Sequence, residues 1–437
     1  MTAAQTPRSM STGLLKVAER AKREPEAQFN SLAHLVDEAA LAQAYGRLRK
    51  DAAVGVDGID KEQYGQGLEG KLRALHGRMK AGWYRHQPIR RVHIPKDNGK
   101  TRPIGIASTE DKIVQGAISE VLGTIYEQDF LSCSYGFRPG RSAHDAVRAL
   151  NEAVGQGKVN WILEADIESF FDSLDRSKLA EMLRIRVADG AMLKLVGKCL
   201  HVGVLDGAEF STPDEGTTQG SSLSPLLGNI YLHYVMDQWF EHEVRPRMHG
   251  RVLLCRYADD LVIGFERRDD AERVMQVLPA RMGKFNLKLH PGKTRLLPFG
   301  RPHHGAQKGP ATFDFLGFTW YWRRSRRGRW VPACKSRRAR LSRAIRVVYD
   351  WCRSHRHQPV AAQHAALTRR IRGHFNYFGV NGNTRSLSSL YYHAKRAWYK
   401  WLRRRSQRTR LNWERFEDLF HDFPFPLPTV YVQIWGK

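Results

Sequence analysis

The stretch LLCRYADDLVIGF sets two adjacent carboxylates, Asp259 and Asp260, inside an apolar run from Leu253 to Phe265. Unpaired negative charges in such surroundings cost on the order of several kcal/mol each, through lost hydration and mutual repulsion. They become favourable around a hard divalent cation, because Mg2+ takes oxygen ligands and keeps several waters. A third acid has matching surroundings: Asp166 follows Trp161-Ile162-Leu163 and precedes Ser169-Phe170-Phe171. A strand carrying Asp166 beside a hairpin carrying Asp259 and Asp260 would gather three carboxylates at one sheet edge. That grouping suits two cations about 4 Å apart, clamping the attacking and leaving oxygens of a phosphoryl transfer. The plainer alternative is a solvated Asp-Asp turn, since Asp is common in turns. Buried-strand residues on both flanks weigh against it.

Periodicity and Gly/Pro punctuation outline the elements that must hold these acids. Helices are predicted over 28–50, 65–82, 109–128, from Ser142, over 176–203 and over 269–284. IRRVHIPKDNGKTRPIGI reads as strands 89–94 and 102–106 around the turn Lys96-Asp97-Asn98-Gly99-Lys100. NWILEADIESFFDSL starts as a strand and is predicted to turn helical after Asp166. EGTTQGSSLSPLLGNIYL reads as a loop entering a long apolar helix, and short strands are expected at 286–290, 294–299 and 313–321. Beyond Trp322 the pattern is helical, basic and aromatic, with blocks at 335–357, 360–378 and 385–405.

With 437 residues, 42% hydrophobic and 10% aromatic, the chain has material for two or three folded domains. No apolar run reaches the length a bilayer requires, and MTAAQTPRSMSTGLLKVAER lacks a secretory hydrophobic region, so no membrane partner is expected. The cysteines, at 133, 199, 255, 334 and 352, form no CxxC pair and read as thiols of a reducing compartment. The formal net charge is +27, and from Tyr321 to Lys437 there are 27 Lys+Arg against five Asp+Glu. Such an imbalance points to a polyanionic partner, most simply nucleic acid. AKRAWYKWLRRRSQRTRLNW interleaves cations with rings, a mixture suited to structured RNA. At helical spacing, Trp398 and Leu402 equally suit a core stripe beneath an Arg-rich wet face.

Tyr257-Ala258-Asp259-Asp260 resembles the YxDD box of reverse transcriptases, more narrowly of those encoded by group II introns, which double as maturases. The stretches carrying the resemblance occur in the family's order: RVHIPKDNGKTRPIGI, SYGFRPGRSAHDAV, WILEADIESFFD, TTQGSSLSPLLGNIYL, RYADDLVIGF, NLKLHPGKTRLL and FDFLGF. RRIRGHFNYFGV and the Arg-rich helices resemble the thumb, or maturase X domain. The resemblance implies an α+β right-hand polymerase fold: a 1–27 tail, fingers and palm with antiparallel sheet over 28–320, a helical thumb over 321–410, and a basic, aromatic extension over 411–437.

It also implies roles. Asp166 and Asp259, with Ile167, would hold two Mg2+, for which Mn2+ could substitute, and Asp260 would complete the catalytic acids near the primer end. Lys96 and Arg102 would grip the dNTP triphosphate. Phe171, with Phe170 adjacent, would sit under the sugar and exclude a 2′-hydroxyl; one ring of this pair must face inward. Gln219 would touch the nucleotide, with Gly220 allowing close backbone approach. Arg138, Arg141 and Lys293 would meet template and primer, and Arg372, Lys395, Arg396, Arg403 and Arg404 would meet RNA. Implied partners are an RNA template, structured intron RNA and a DNA primer or target, in a bacterial cytoplasm or nucleoid, with a second copy of the chain, in a homodimer, as a further partner. With PTVYVQIWGK at its end and no zinc-type Cys pairs, the chain is expected to lack the family's DNA endonuclease module. A free-standing relative serving DNA repair or antiviral defence is the alternative reading.

Overall fold

The computed structural model describes residues 10–95, 101–207, 209–211, 216–217, 220–307, 309–406 and 410–435. The predicted tail contains a helix, α1 (Thr12–Arg23), started by Ser11, whose side chain accepts from the Leu14 N–H. The helix expected over 28–50 is shorter, α2 (Glu38–Arg47), because the Asp37 carboxylate caps it at the Ala40 N–H. Then come α3 (Lys61–Gly65) and α4 (Leu68–Lys80). β1 (Ile89–Pro95) and β2 (Thr101–Ile106) form the predicted hairpin. α5 (Thr109–Asp129), capped by Ser108, threads the main core, and α6 (Ala143–Gly155) starts from a reciprocal Ser142–Asp145 capping box.

β3 (Trp161–Ala165) ends without the helix expected after Asp166. Instead Ser169 takes φ +45°, and its carbonyl accepts from Asp172 in a turn. The helix expected over 176–203 is broken into α7 (Arg176–Arg186) and α8 (Gly190–Leu200). One Asp189 oxygen caps α8 at Ala191 and Met192, while the other accepts from Leu32 and Ala33, so the break docks the N-terminal segment. β4 (Val204–Asp206) and β5 (Glu209–Ser211) lead to α9 (Ser224–Leu232), which continues into π-wound turns at His233–Asp237 and Phe240–Val244.

β6 (Val252–Tyr257), β7 (Asp260–Phe265), α10 (Arg268–Gly283) and β8 (Arg295–Pro298) follow. The strand expected at 286–290 reduces to one bridge, Ile167 with Leu289. β9 (Phe313–Phe315), β10 (Phe318–Arg324) and β11 (Trp330–Ser336) precede the helices α11 (Arg338–Ser354), α12 (Val360–Phe378), α13 (Thr384–Arg403) and α14 (Trp413–Asp422). The domain boundary expected at 320/321 therefore falls inside β10.

The central sheet, β6-β7-β3-β8, is antiparallel throughout, as is β11-β10-β9. The sheet β2-β1-β4-β5 departs from the antiparallel expectation at one pair, β1 with β4, which is parallel. Strand alternation splits the central sheet between two cores. Leu163, Leu254, Leu261 and Ile263 join α5, α7, α9 and α10 in one. Ile162, Cys255 and Val262 face the other, with α6, Phe318, Trp320, Leu367, Ile371 and Trp398. No helix among the described residues is long and apolar enough to cross a membrane.

Candidate active site

The β6–β7 hairpin pairs Tyr257 with Asp260 across the turn residues Ala258 and Asp259. Ala258 adopts φ +56° to make it so tight. Ala165, the last residue of β3, lies opposite Leu261 on β7. The next residue, Asp166, therefore arrives beside Asp260, and the three predicted acids share one end of the central sheet. Their charges are felt mutually. Burial first, then the Asp166 charge, raises the Asp259 carboxyl above its ordinary range. Burial first, then Asp259 and Asp166, pushes Asp260 up to about 6. Residue 260 still reaches solvent, so hydration offsets part of the desolvation, and carboxylate repulsion is the more robust cause. A site whose acids repel one another, with oxygen donors only, fits a hard divalent cation. Asp166 and Asp259, with Asp260 adjacent, are the residues able to hold it. Ile167 buries its side chain, so any contribution from it comes through the backbone carbonyl.

Arg256, just before the turn, is fully buried and makes a fan of donor contacts. Its guanidinium donates to Asp237 at 2.7 and 2.5 Å, to Asn229 Oδ1 at 3.0 Å, to Ser134 Oγ at 2.8 Å and to the Ala258 carbonyl at 3.1 Å. The loop after α5 is stitched to the same strand: Arg256 N–H donates to Cys133 O, and Tyr135 N–H donates to Arg256 O, both at 2.9 Å. Gly136 then passes so close to the turn that a Cβ there would lie 2.3 Å from Ala258 N.

Several predicted contacts fall near the acids. Lys293 places its ammonium 2.5 Å from Asp166 Oδ2. Arg102 is exposed on β2, and its charge lowers the Asp259 carboxyl's pKa against the larger rise from burial. Phe171 is half-buried with its ring 5.1 Å from that of Phe170. Phe170 itself lies in the main core, which corrects its assignment to the nucleotide and settles which ring faces inward. Arg138 also needs correcting. It is buried and donates to Glu127, Leu131 O and Ser134 O, so it braces the loop and does not reach outward. Arg141 is half-buried, donating to Ser132 O at 2.8 Å. Lys96 and Gln219 lie outside the described residues.

Gly220 adopts φ +112° with its Cβ direction 2.5 Å from Gly105 O, so the close approach it permits is to β2. The segment after it is held by Gln115, a fully buried residue of α5 that sequence reading passed over. Gln115 Oε1 accepts from Ser221 Oγ and Ser222 N–H at 3.1 Å, while its Nε2 lies 2.7 Å from His86 Nε2. Ser222 N–H can only donate, which fixes the amide orientation and makes His86 Nε2 the acceptor. Arg340 on α11 was likewise missed; its charge lowers the Asp260 carboxyl's pKa against the stronger upward effects. Only the dense basic run SRRARL hinted at it.

Among the tail residues, Arg372, Arg396, Arg403 and Arg404 are exposed. Tyr349, Arg396, Lys400, Arg403 and Arg404 line a groove of about 790 Å³ between α11 and α13. Lys395 is corrected: it donates to Glu417 at 2.6 Å and lies over the Phe420 ring, packing α14. Trp398 and Leu402 are core, as the stripe reading expects.

A profile described as reverse transcriptase (RNA-dependent DNA polymerase) matches residues 94–320. Protein YkfC of Escherichia coli K12 is 33% identical over 350 residues, covering 72% of this chain and 88% of that protein. The chain belongs to the reverse transcriptase family, whose right-hand polymerase fold frames the mixed helix and sheet described above. The group II intron-encoded protein LtrA of Lactococcus lactis is 37% identical over 191 residues, which cover 44% of this chain and 32% of LtrA. A putative COX1/OXI3 intron 1 protein of Saccharomyces cerevisiae is 31% identical over 182 residues, 41% of this chain and 22% of that protein. Within the family the chain is thus similar to intron-encoded proteins, though it spans a third or less of the length of these two relatives.

Proposed function

We propose that the chain extends a DNA primer on an RNA template and also binds its intron RNA to assist splicing and mobility. The convergence of Asp166, Asp259 and Asp260 at one sheet end, with the Asp259 and Asp260 carboxyls raised in part by neighbouring acid charges, carries the first part. Two Mg2+ ions, when bound, would supply Lewis-acid activation of the primer 3′-hydroxyl and charge neutralisation at the leaving pyrophosphate. Asp166 and Asp259 hold the metals and Asp260 sits toward the primer end. Arg102, with Lys96, binds the triphosphate, Gln219 meets the nucleotide, and Phe171 lies under the sugar where it excludes a 2′-hydroxyl. Lys293 and Arg141 lie toward primer and template.

The division into fingers and palm (28–320), helical thumb (321–410) and extension (411–437) is part of the same reading. The groove between α11 and α13, with Arg396, Arg403 and Arg404 at its surface, is the support for an RNA contact outside the catalytic cleft. The intron-named relatives favour this role over a repair or defence enzyme. Primer extension on an RNA template with Mg2+, wild type against Asp259→Ala, tests the polymerase reading. Activity should vanish in the variant, and equal activity in both would overturn the assignment.

A further inference from the structure

Phe137 combines two unfavourable features at one position. Its aromatic side chain is 57% exposed, and its backbone sits at φ +58°, a left-handed conformation that a residue with a Cβ adopts only at a free-energy cost. The loop could have avoided both. Gly136 precedes it, and Gly140, three residues on, already occupies the left-handed region at φ +71°. The loop is also rigid. Gly136 O accepts from Asn229 Nδ2 at 2.7 Å, Tyr135 is bound to Arg256, and Arg138 is locked to Leu131 and Ser134. Phe137 is thus held firmly one residue beyond the point where the loop meets Ala258. Its ring centroid lies 6.3 Å from that of Tyr257, two residues before Asp259.

We propose that Phe137 is a substrate-contacting residue whose ring packs on the primer–template nucleotides at the reaction centre. The inference rests on the polymerase reading of the acids and gives a role to a residue of SYGFRPGRSAHDAV that had none in the sequence reading. A primer end placed for attack at Asp166 and Asp259 brings sugar and base faces to the rim of this turn, and those faces are apolar. A ring on a rigid turn loses little conformational freedom on contact, so its binding is preorganised. Because every base has a π-face and every sugar an apolar edge, the contact carries no sequence preference. That suits an enzyme which must copy any template.

The strain supplies a test that separates function from folding. Phe137→Gly relieves the left-handed penalty and removes the ring, Phe137→Asn keeps a residue tolerant of that conformation without a ring, and Phe137→Tyr keeps the ring. Primer–template dissociation constants, extension rates and thermal midpoints are measured for each. In the Gly and Asn variants the midpoint should hold or rise while primer–template affinity or extension falls about tenfold, in the range of one lost stacking contact. The Tyr variant should stay within about twofold of wild type. Wild-type binding and extension in the Gly and Asn variants would overturn the proposal. So would loss of activity that tracks a lowered midpoint and is not restored in Tyr. Were the wild type inert on every template, the polymerase reading would fall instead, and the binding constants would still judge Phe137.

Discussion

Arg256 and Asp237 form a two-pronged ion pair, at 2.7 and 2.5 Å, with neither side chain exposed to solvent. Through its remaining donors Arg256 reaches the Ala258 carbonyl, so the pair ties the π-wound segment after α9 to the β6–β7 turn. Asp237→Ala leaves a buried guanidinium without its counter-charge, which costs about 3–5 kcal/mol. Chemical denaturation should show that loss. Arg256→Lys keeps the charge but not the fork, and extension activity should fall further than stability does.

Gly136→Ala should be far more damaging than its size suggests. The added methyl would meet the Ala258 backbone, which cannot yield without moving Asp259. We expect at least a tenfold loss of extension rate, about 1.4 kcal/mol in the barrier. Gly123→Ala is the control: it lies in α5 with nothing near its Cβ direction and should gain about 0.5–1 kcal/mol in thermal or denaturant unfolding.

Gln115→Leu keeps the volume of the side chain but cuts the Ser221–Ser222 segment loose from α5. If that segment presents Gln219 to the nucleotide, KM for dNTPs should rise several-fold, as loss of about 1–2 kcal/mol of hydrogen bonding would give. Primer–template affinity should stay near wild type. Steady-state kinetics with dNTP titration against binding by filter or anisotropy would separate the two.

His233 gives a pH dependence. Burial, then the Arg256 and Arg138 charges, depresses its imidazole to about 3, and its ring is packed edge-on against Phe130. A depressed folded value means that the unfolded chain takes up the proton first. Stability is therefore complete above about 6.5 and declines as pH falls toward 3, by about 3 kcal/mol at pH 4.5. Asp260 acts in the opposite sense: its contribution is present at low pH and lost as pH rises through about 6. The difference between wild type and His233→Leu isolates the histidine, and it should shrink steadily on acidification from pH 7 to 4.5.

Much of the site is legible locally. Asp166, Asp259 and Asp260 stand out because acids among apolar strand residues contradict their surroundings, and the β1–β2 hairpin follows from its turn chemistry. What escaped notice depends on contacts distant in sequence. Asp189 ends one helix and starts another because it also binds Leu32 and Ala33, some 156 residues away. Arg138 and Lys395 look like outward cations until Glu127 and Glu417 are found beside them. Gln115 is an unremarked amide in an apolar helix whose importance lies wholly in its partners. The π-wound turns after α9 carry no signal in residue type at all.

Ile162 and Val262 belong to the sheet whose end gathers the acids, yet their side chains lie in the same interior as Trp320 and Trp398. The basic helices are consequently no detachable handle. A helical half borrowed from a relative would have to reproduce the contour of that shared interior, and a graft matched on surface charge alone would disturb the very strands that set carboxylate spacing. Outer, solvent-facing positions of α13 such as Arg396, Arg403 and Arg404 stand clear of that interior, whereas on α11 even an exposed arginine, Arg340, is felt at Asp260.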